Sequence, residues 1–337
     1  MRASSAHLAA TPIELGTLVF PQTGLLIART RLAFIHLRNL LTFAKRDRDG
    51  RVDGYVGGFL PEEVVLVFFR RGEAVSAATL GAGGRGVLNV ATAVRRLEAE
   101  LERGELVYAS APLEQLAWMY QSCAAPAVPR KVDLKRPAAL FPALAAEQFS
   151  GVIEFISAGR VSYLRFEDGR FRGGYFADRP SGVAVPSYLE SLFLPGPDGA
   201  APAIAAATFA PIETLPEQAA PALIGTYQDL YRRIVAAVDQ EIPGEGESRA
   251  ARARGRIVTS HPAVAVIAGA GDDATHQVVT PDALTKALAS WATNLLEEVE
   301  VISPGGAANA VRGATQEQRY ILQSAGFYDL IPWRIAW

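Results

Sequence analysis

The sequence predicts an α+β protein: two tandem helix–β-meander–helix–strand units followed by a mostly α-helical C-terminal domain. Three observations carry that expectation. Gly54 and Gly151 lie 97 residues apart, as do Val64 and Val161, Phe69 and Phe166, and Gly72 and Gly169; matched turns and apolar blocks at one offset mark an internal repeat. Within each repeat, short runs rich in β-branched and aromatic residues are separated by turn residues. Beyond residue 222 the apolar positions instead recur at helical spacing.

In the second copy the strands are expected at 151–156, 161–166 and 171–176, joined by turns at 157–160 and 167–170. Asp168-Gly169 between two β-rich runs is a strong hairpin signal, because glycine reaches positive φ without steric cost. The first copy places turns at 60–63 and 70–73. Leu37, Leu40, Leu41 and Ala44 form a helical stripe ahead of the first meander. Leu134, Leu140, Phe141 and Leu144 do so ahead of the second, against the breakers Pro137 and Pro142. After the first meander, Val90, Val94, Leu97 and Leu101 predict a helix ending near Gly104, then a strand at 106–109. The second copy repeats this with a short helix at 188–193 and a strand at 207–210.

The resulting division is a first unit at 12–123, a Pro- and Ala-rich linker at 124–136, a second unit at 137–215, a second linker at 216–225 and a helical domain at 226–337. In that last domain Tyr227, Leu230, Tyr231, Ile234 and Val238 share one helix face. Polar residues 245–256 open another helix, and 264–268 with 277–279 are expected to pair as a hairpin. Thr280-Pro281 starts a helix carrying Leu284, Leu288, Trp291 and Leu295 on one side. Thr315 with Gln318 fits a capping box for a final helix that stops at Gly326.

Half of the 337 residues are hydrophobic and a fifth are charged, which is globular composition. Lys and Arg total 33 against 35 Asp and Glu, for a net charge of −2. That excludes the dense positive face by which a protein grips phosphates, so no nucleic-acid partner is expected. Cys123 is the single cysteine; an intrachain disulfide is impossible, which fits a reducing compartment or simple avoidance of thiols, and a cytoplasmic location is expected. The apolar piece within residues 1–11 is too weak for a signal peptide. Runs such as 64–69 fall far short of the roughly 20 residues that span a bilayer, so no membrane insertion is expected.

The tandem pattern of an apolar helix, then Ser150-Gly151-Val152-Ile153-Glu154-Phe155, then Tyr163-Leu164-Arg165-Phe166-Glu167-Asp168-Gly169-Arg170, resembles the DUF4388 (PATAN-like) family of bacterial domains. The second copy carries the resemblance. In the first, Asp53 stands where the family has Ser or Thr before the glycine, and the segment 12–31 has no counterpart in that pattern. The resemblance covers about half the chain and leaves 222–337 outside it. It implies a signalling or scaffolding role without catalysis.

Several motifs compete with that reading. Gly81, Gly83 and Gly86 form a G-x-G-x-x-G ahead of a helix, the pattern that lets backbone approach a pyrophosphate. The acidic residue that would hold a ribose is missing, since Ala109-Ser110-Ala111 follows the next strand. Asp47, Asp49 and Asp53 fail as a calcium loop, because Arg51, Val52 and Gly58 occupy key positions. His7, His36, His261 and His276 lack metal-ligand spacing, so no metal is expected; His36, among Phe34, Ile35 and Leu37, reads as a partly buried structural residue. Cys123, on a helix with Leu116, Met119 and Tyr120, reads as a packing thiol. No G-x-S-x-G, H-E-x-x-H or Walker A motif occurs.

Arg249, Arg252, Arg254 and Arg256 form the densest positive cluster, offset by Glu245 and Glu247. Phe327, Tyr328, Trp333 and Trp337 close the chain. These two groups are the candidate interaction residues. The expected function is a non-enzymatic interaction, scaffold or adaptor protein of bacterial signalling or cell organisation, without cofactor. It would bind a protein partner bivalently or self-associate through sheet edges. The alternative is a nucleotide- or dinucleotide-binding enzyme using residues 81–86.

Overall fold

The computed structural model describes residues 14–37, 39–40, 52–81, 84–125, 127–133, 139–195, 202–269 and 278–337. They divide into two compact units, one through Pro216 and one from Glu217.

The first unit contains two antiparallel sheets. Its elements run β1 (Gly24–Arg31), β2 (Gly54–Phe59), β3 (Glu63–Arg70), β4 (Glu73–Gly81), β5 (Gly84–Leu88), α1 (Val90–Ala99), β6 (Glu105–Ser110) and α2 (Leu113–Ala124). The chain continues with β7 (Val128–Arg130), α3 (Leu140–Ala146), β8 (Gly151–Ser157), β9 (Arg160–Glu167), β10 (Arg170–Phe176), α4 (Val185–Ser191) and β11 (Ile204–Phe209). The sheet orders are β1-β6-β2-β3-β4-β5 and β7-β11-β8-β9-β10. Without β5 the two orders are the same. The register agrees as well: Gly54 pairs with Phe69 and Gly151 with Phe166, at the 97-residue offset.

The repeat extends to the side chains that set its turns. Arg71 and Gly72 have φ of 51° and 74°, and Asp168 and Gly169 have 48° and 73°, the left-handed pair of a two-residue hairpin turn. Ser150 Oγ accepts a hydrogen bond from Asp168 N at 2.9 Å. Asp53 Oδ1 accepts one from Arg71 N at 2.6 Å. Asp53, the apparent departure from the pattern, therefore does the work of the serine. The adjacent glycine is held by space: a Cβ on Gly54 would lie 2.2 Å from the carbonyl oxygen of Ala109 in β6. Gly54→Ala is expected to cost about 1–3 kcal/mol of overpacking strain, read as a lowered urea midpoint.

Alternation along the strands divides the core into layers. Val56, Val67 and Phe69 pack under Ala93 and Leu97 of α1. Ile153, Leu164 and Phe166 pack under Leu140 and Leu144 of α3 and Tyr188 of α4. Phe69 and Phe166 thus fill the same niche in matching sheets. The opposite faces, including Tyr55 and Leu66 of one sheet and Val152 and Tyr163 of the other, share one core with Leu116, Trp118 and Met119 of α2.

This unit corrects three expectations. The stretch 124–136 does not merely separate the copies, because Val128–Arg130 pairs with β11. The segment ahead of residue 31 does have a counterpart: β1 holds the sheet position that β7 holds in the second copy. It is preceded by a strap in which Val19 N donates to Gly159 O and Val161 N to Val19 O, both at 2.9 Å. The expected linker at 216–225 overlaps a helix that starts at Pro221.

The second unit is helical: α5 (Pro221–Glu241), α6 (Gly246–Ile257), α7 (Val264–Ile267), α8 (Pro281–Ile302), α9 (Gly306–Thr315), α10 (Arg319–Ser324) and α11 (Phe327–Leu330). The faces named by Tyr227 on α5 and Leu284 on α8 are buried as their periodicity predicts, and Thr280 Oγ1 caps α8 by accepting from Ala283 N at 3.2 Å. Two local expectations fail. Residues 264–267 are a helical turn rather than a strand, since a short apolar run buried by its neighbours carries no periodicity of its own; Gln277 lies outside the described residues. Thr315 ends α9, its hydroxyl donating to Val311 O at 2.7 Å, so it caps nothing. Among the described residues no helix is long and apolar enough to cross a membrane.

Candidate functional site

The glycine motif is a hairpin and not a phosphate loop. Gly81 pairs with Gly84 and Thr79 with Gly86 across β4 and β5, and α1 begins only at Val90, capped by Asn89. Backbone amides of Gly81 and Gly86 are therefore not gathered at a helix N-terminus, as pyrophosphate binding requires. Gly83 lies outside the described residues. The residue of consequence here is Arg85, which the glycine spacing did not single out. Its guanidinium forks onto Glu154 of β8, with N–O distances of 2.9 and 2.5 Å, and also donates to Ser122 O of α2 at 3.3 Å. The pair is buried and joins the two sheets, one partner from each copy.

Cys123 lies beside this pair and is fully enclosed. Burial, opposed by Arg85, pushes its thiol up to about 11. Such a group stays protonated at neutral pH and is a packing thiol. His36 is exposed rather than partly buried, and its Nδ1 accepts from Asn39 N. Ser290 Oγ lies 3.2 Å from His261 Nε2. His7, His276, Asp47 and Asp49 lie outside the described residues. Among the described residues no group of three His, Cys, Asp or Glu side chains could hold a metal ion.

The arginine cluster is turned onto its own unit. Glu298 of α8 receives Arg249 at 2.9 Å and Arg256 at 2.8 Å, with Arg252 at 3.7 Å; Arg249 also pairs with Glu245 at 2.5 Å. Arg254 is half-buried. Desolvation acts to raise the Glu298 carboxyl, and Arg256, Arg249 and Arg252 together outweigh it and hold it below the usual range. A carboxyl depressed on folding adds stability above its unfolded pKa, about 4.3, and that stability is lost as pH falls through the lower folded value. Acid titration of the denaturation midpoint is expected to show this loss in the native protein and a flatter acid limb in Glu298→Gln.

The closing aromatics also pack inward. Phe327 is fully buried in the core of the unit, while Tyr328 and Trp333 are half-buried. Trp337 remains half-exposed, edge-on to Tyr328 at 5.6 Å.

What stays open is a sheet edge. On its outer side β1 pairs with no strand among the described residues, and its neighbouring leucines Leu25 and Leu26 are 50% and 47% exposed. Its register with β6 breaks between Leu25 and Ile27 and again between Ile27 and Thr30, leaving Leu26 outside the ladder, as bulges do where they re-aim a side chain. At the C-terminal end of β1 lies a cleft of about 650 Å³. Its lining is mixed: Leu15, Phe59, Leu60 and Pro61 stand beside Arg29 and Arg31 of β1, Arg103, and the carboxylates of Glu14, Glu102 and Glu105. Arg29 stacks 4.0 Å over the Phe59 ring and pairs with Glu105 at 2.5 Å.

The equivalent edge of the second copy is closed to pairing. There β7 is three residues long with Pro129 at its centre, and proline cannot donate to a ladder. At the far edge β10 carries Arg170 and Arg172 and a register break at Phe171–Gly173, features that β1 shares in Arg29, Arg31 and its own two breaks. The two copies of one fold have thus diverged at matching positions, and only the first presents a long, proline-free strand with exposed leucines. Compared with known protein families, curated proteins and solved structures, the chain matches none.

Proposed function

We propose that this chain is a non-enzymatic interaction or scaffold protein of bacterial signalling or cell organisation, active in the cytoplasm, that docks an extended protein segment along β1. The observation that carries the reading is the exposed Leu25-Leu26 pair on an eight-residue edge strand whose twin in the second copy is cut short by Pro129. An added strand gains main-chain hydrogen bonds from the edge and burial from the leucines. The motif resemblance to DUF4388 domains, which implies signalling or scaffolding, supports the same class.

Leu25→Lys with Leu26→Lys places two charges on the edge and leaves the cores untouched. The double variant is expected to lose strand-docking partners in affinity capture followed by cross-linking mass spectrometry. Its thermal midpoint should barely change, since surface substitutions usually move stability by less than about 0.5 kcal/mol. An unchanged set of cross-linked partners at β1 would defeat the proposal.

A further inference from the structure

We infer that the cleft at the C-terminal end of β1 binds a free basic amino acid, a ligand with one carboxylate and two cationic groups. The inference goes beyond strand docking and does not depend on it. At about 650 Å³ the cleft has the size of a small-molecule site. What it selects follows from which of its charges are already matched within the chain. Arg31 stands opposite Glu105 in the β1–β6 register, the position from which a cross-strand counter-ion normally comes. Glu105 turns instead to Arg29, at 2.5 Å, and Arg29 is held there by stacking 4.0 Å over the Phe59 ring. Arg103 is taken in the same way by Glu100, at 2.6 Å. Arg31, Glu14 and Glu102 are left lining the cleft with no side-chain hydrogen bond or ion pair among the described residues.

These three side chains come from separate segments: Glu14 from the start of the strap, Arg31 from the end of β1 and Glu102 from the turn between α1 and β6. Leu32 N donates to Gly104 O at 2.9 Å and ties the last two segments together. One unmatched cation and two unmatched anions in one recess disfavour ligands of a single charge. An inorganic anion on Arg31 meets Glu14 and Glu102, and a simple amine on the glutamates meets Arg31. A basic amino acid answers all three, with its carboxylate toward Arg31 and its two cations toward Glu14 and Glu102. Its methylene stem then lies along Leu15 and Pro61. Its single net positive charge cancels the surplus negative charge of the three side chains.

Saturation-transfer NMR on the full chain at low salt, with L-lysine as probe, is expected to show saturable binding. All three charges are exposed and exposed ion pairs contribute little each, so the dissociation constant should be about 1 mM. Cadaverine is lysine without its carboxylate, and aminocaproate is lysine without its α-ammonium; each should bind about threefold more weakly, the loss of one exposed charge contact. Arg31→Gln should weaken lysine by the same factor and leave cadaverine unchanged, whereas Glu102→Gln should weaken both. That cross pattern separates lost contacts from a damaged fold. Leu25→Lys with Leu26→Lys should leave lysine binding as it is, so the cleft and the strand edge stand or fall separately. A lysine titration that does not saturate overturns the inference. So does either truncated ligand binding as well as lysine, or lysine binding that ignores both glutamine substitutions.

Discussion

Glu154→Leu alone is expected to destabilise the first unit by about 3–5 kcal/mol, because it leaves the Arg85 guanidinium buried between the two sheets without its counter-ion. The side chains of the pair are 14% and 3% exposed, so water cannot replace the lost carboxylate. Arg85 would keep only its bond to Ser122 O. The companion experiment is the double replacement Arg85→Met with Glu154→Leu, which removes both charges and fills the space with apolar atoms. It is expected to recover most of the loss, since a buried ion pair and a well-packed apolar pair of similar volume often come out within a few kcal/mol of each other. Urea denaturation of the three proteins gives the comparison. Equal losses in the single and double variants would mean that the pair contributes directly to stability; a tolerated Glu154→Leu would mean that Arg85 reaches water.

The pair also explains what the fork selects. One partner sits on β5, the strand that has no twin in the second copy, and the other on β8. Apolar contacts between two sheet faces tolerate sliding, whereas a bidentate guanidinium–carboxylate fork accepts one alignment. The strap at Val19 fixes the same relation at the β8–β9 turn. Two copies of one unit are thus aligned by β5 and the Val19 strap, which the repeat does not contain, over the core that their facing strands share.

This division accounts for what could be read from the sequence. The repeat was legible because turns and core positions obey local rules. Gly72 and Gly169 need positive φ, and Phe69 and Phe166 end β-rich runs whose strands are buried on both faces. The faces of α5 and α8 were legible for the same reason, through period 3.6. The edge strands were not. In β1 the register breaks destroy the alternation that would have announced a strand, and β7 is too short and too proline-rich to register as one. Residues 264–267 adopt their helical turn through burial that only the assembled unit supplies. The G-x-G-x-x-G spacing pointed to the right place for the wrong reason, since Arg85 matters there and its partner lies 69 residues away. The arginine and aromatic clusters were visible as composition; only the fold shows Arg249, Arg252 and Arg256 gathered on Glu298 and Phe327 buried in the helical core. The leucines of β1 carried no signal beyond their type, because exposure of an apolar residue is set by which neighbours the fold brings near it.

Trp291→Ala is expected to have the second large effect, about 3–5 kcal/mol in the helical unit. Trp291 is completely buried on α8, stacked on Tyr231 of α5 with ring centroids 4.1 Å apart, and its Nε1 donates to Ala250 O of α6 at 3.2 Å. One side chain therefore touches three helices. Truncation opens a cavity among Leu284, Leu288 and Leu295, all fully buried, and removes a second hydrogen bond from the Ala250 carbonyl, whose first partner lies within its own helix. Trp291→Phe separates the two contributions: it keeps most of the ring against Tyr231 and loses the hydrogen bond, so a smaller cost of about 1–2 kcal/mol is expected. Hydrogen exchange provides the local reading, with amides of α5, α6 and α8 losing protection in Trp291→Ala. Retained protection in all three helices would show that Trp291 is not the keystone its position implies, and the weight would then fall on the aliphatic face of α8 alone.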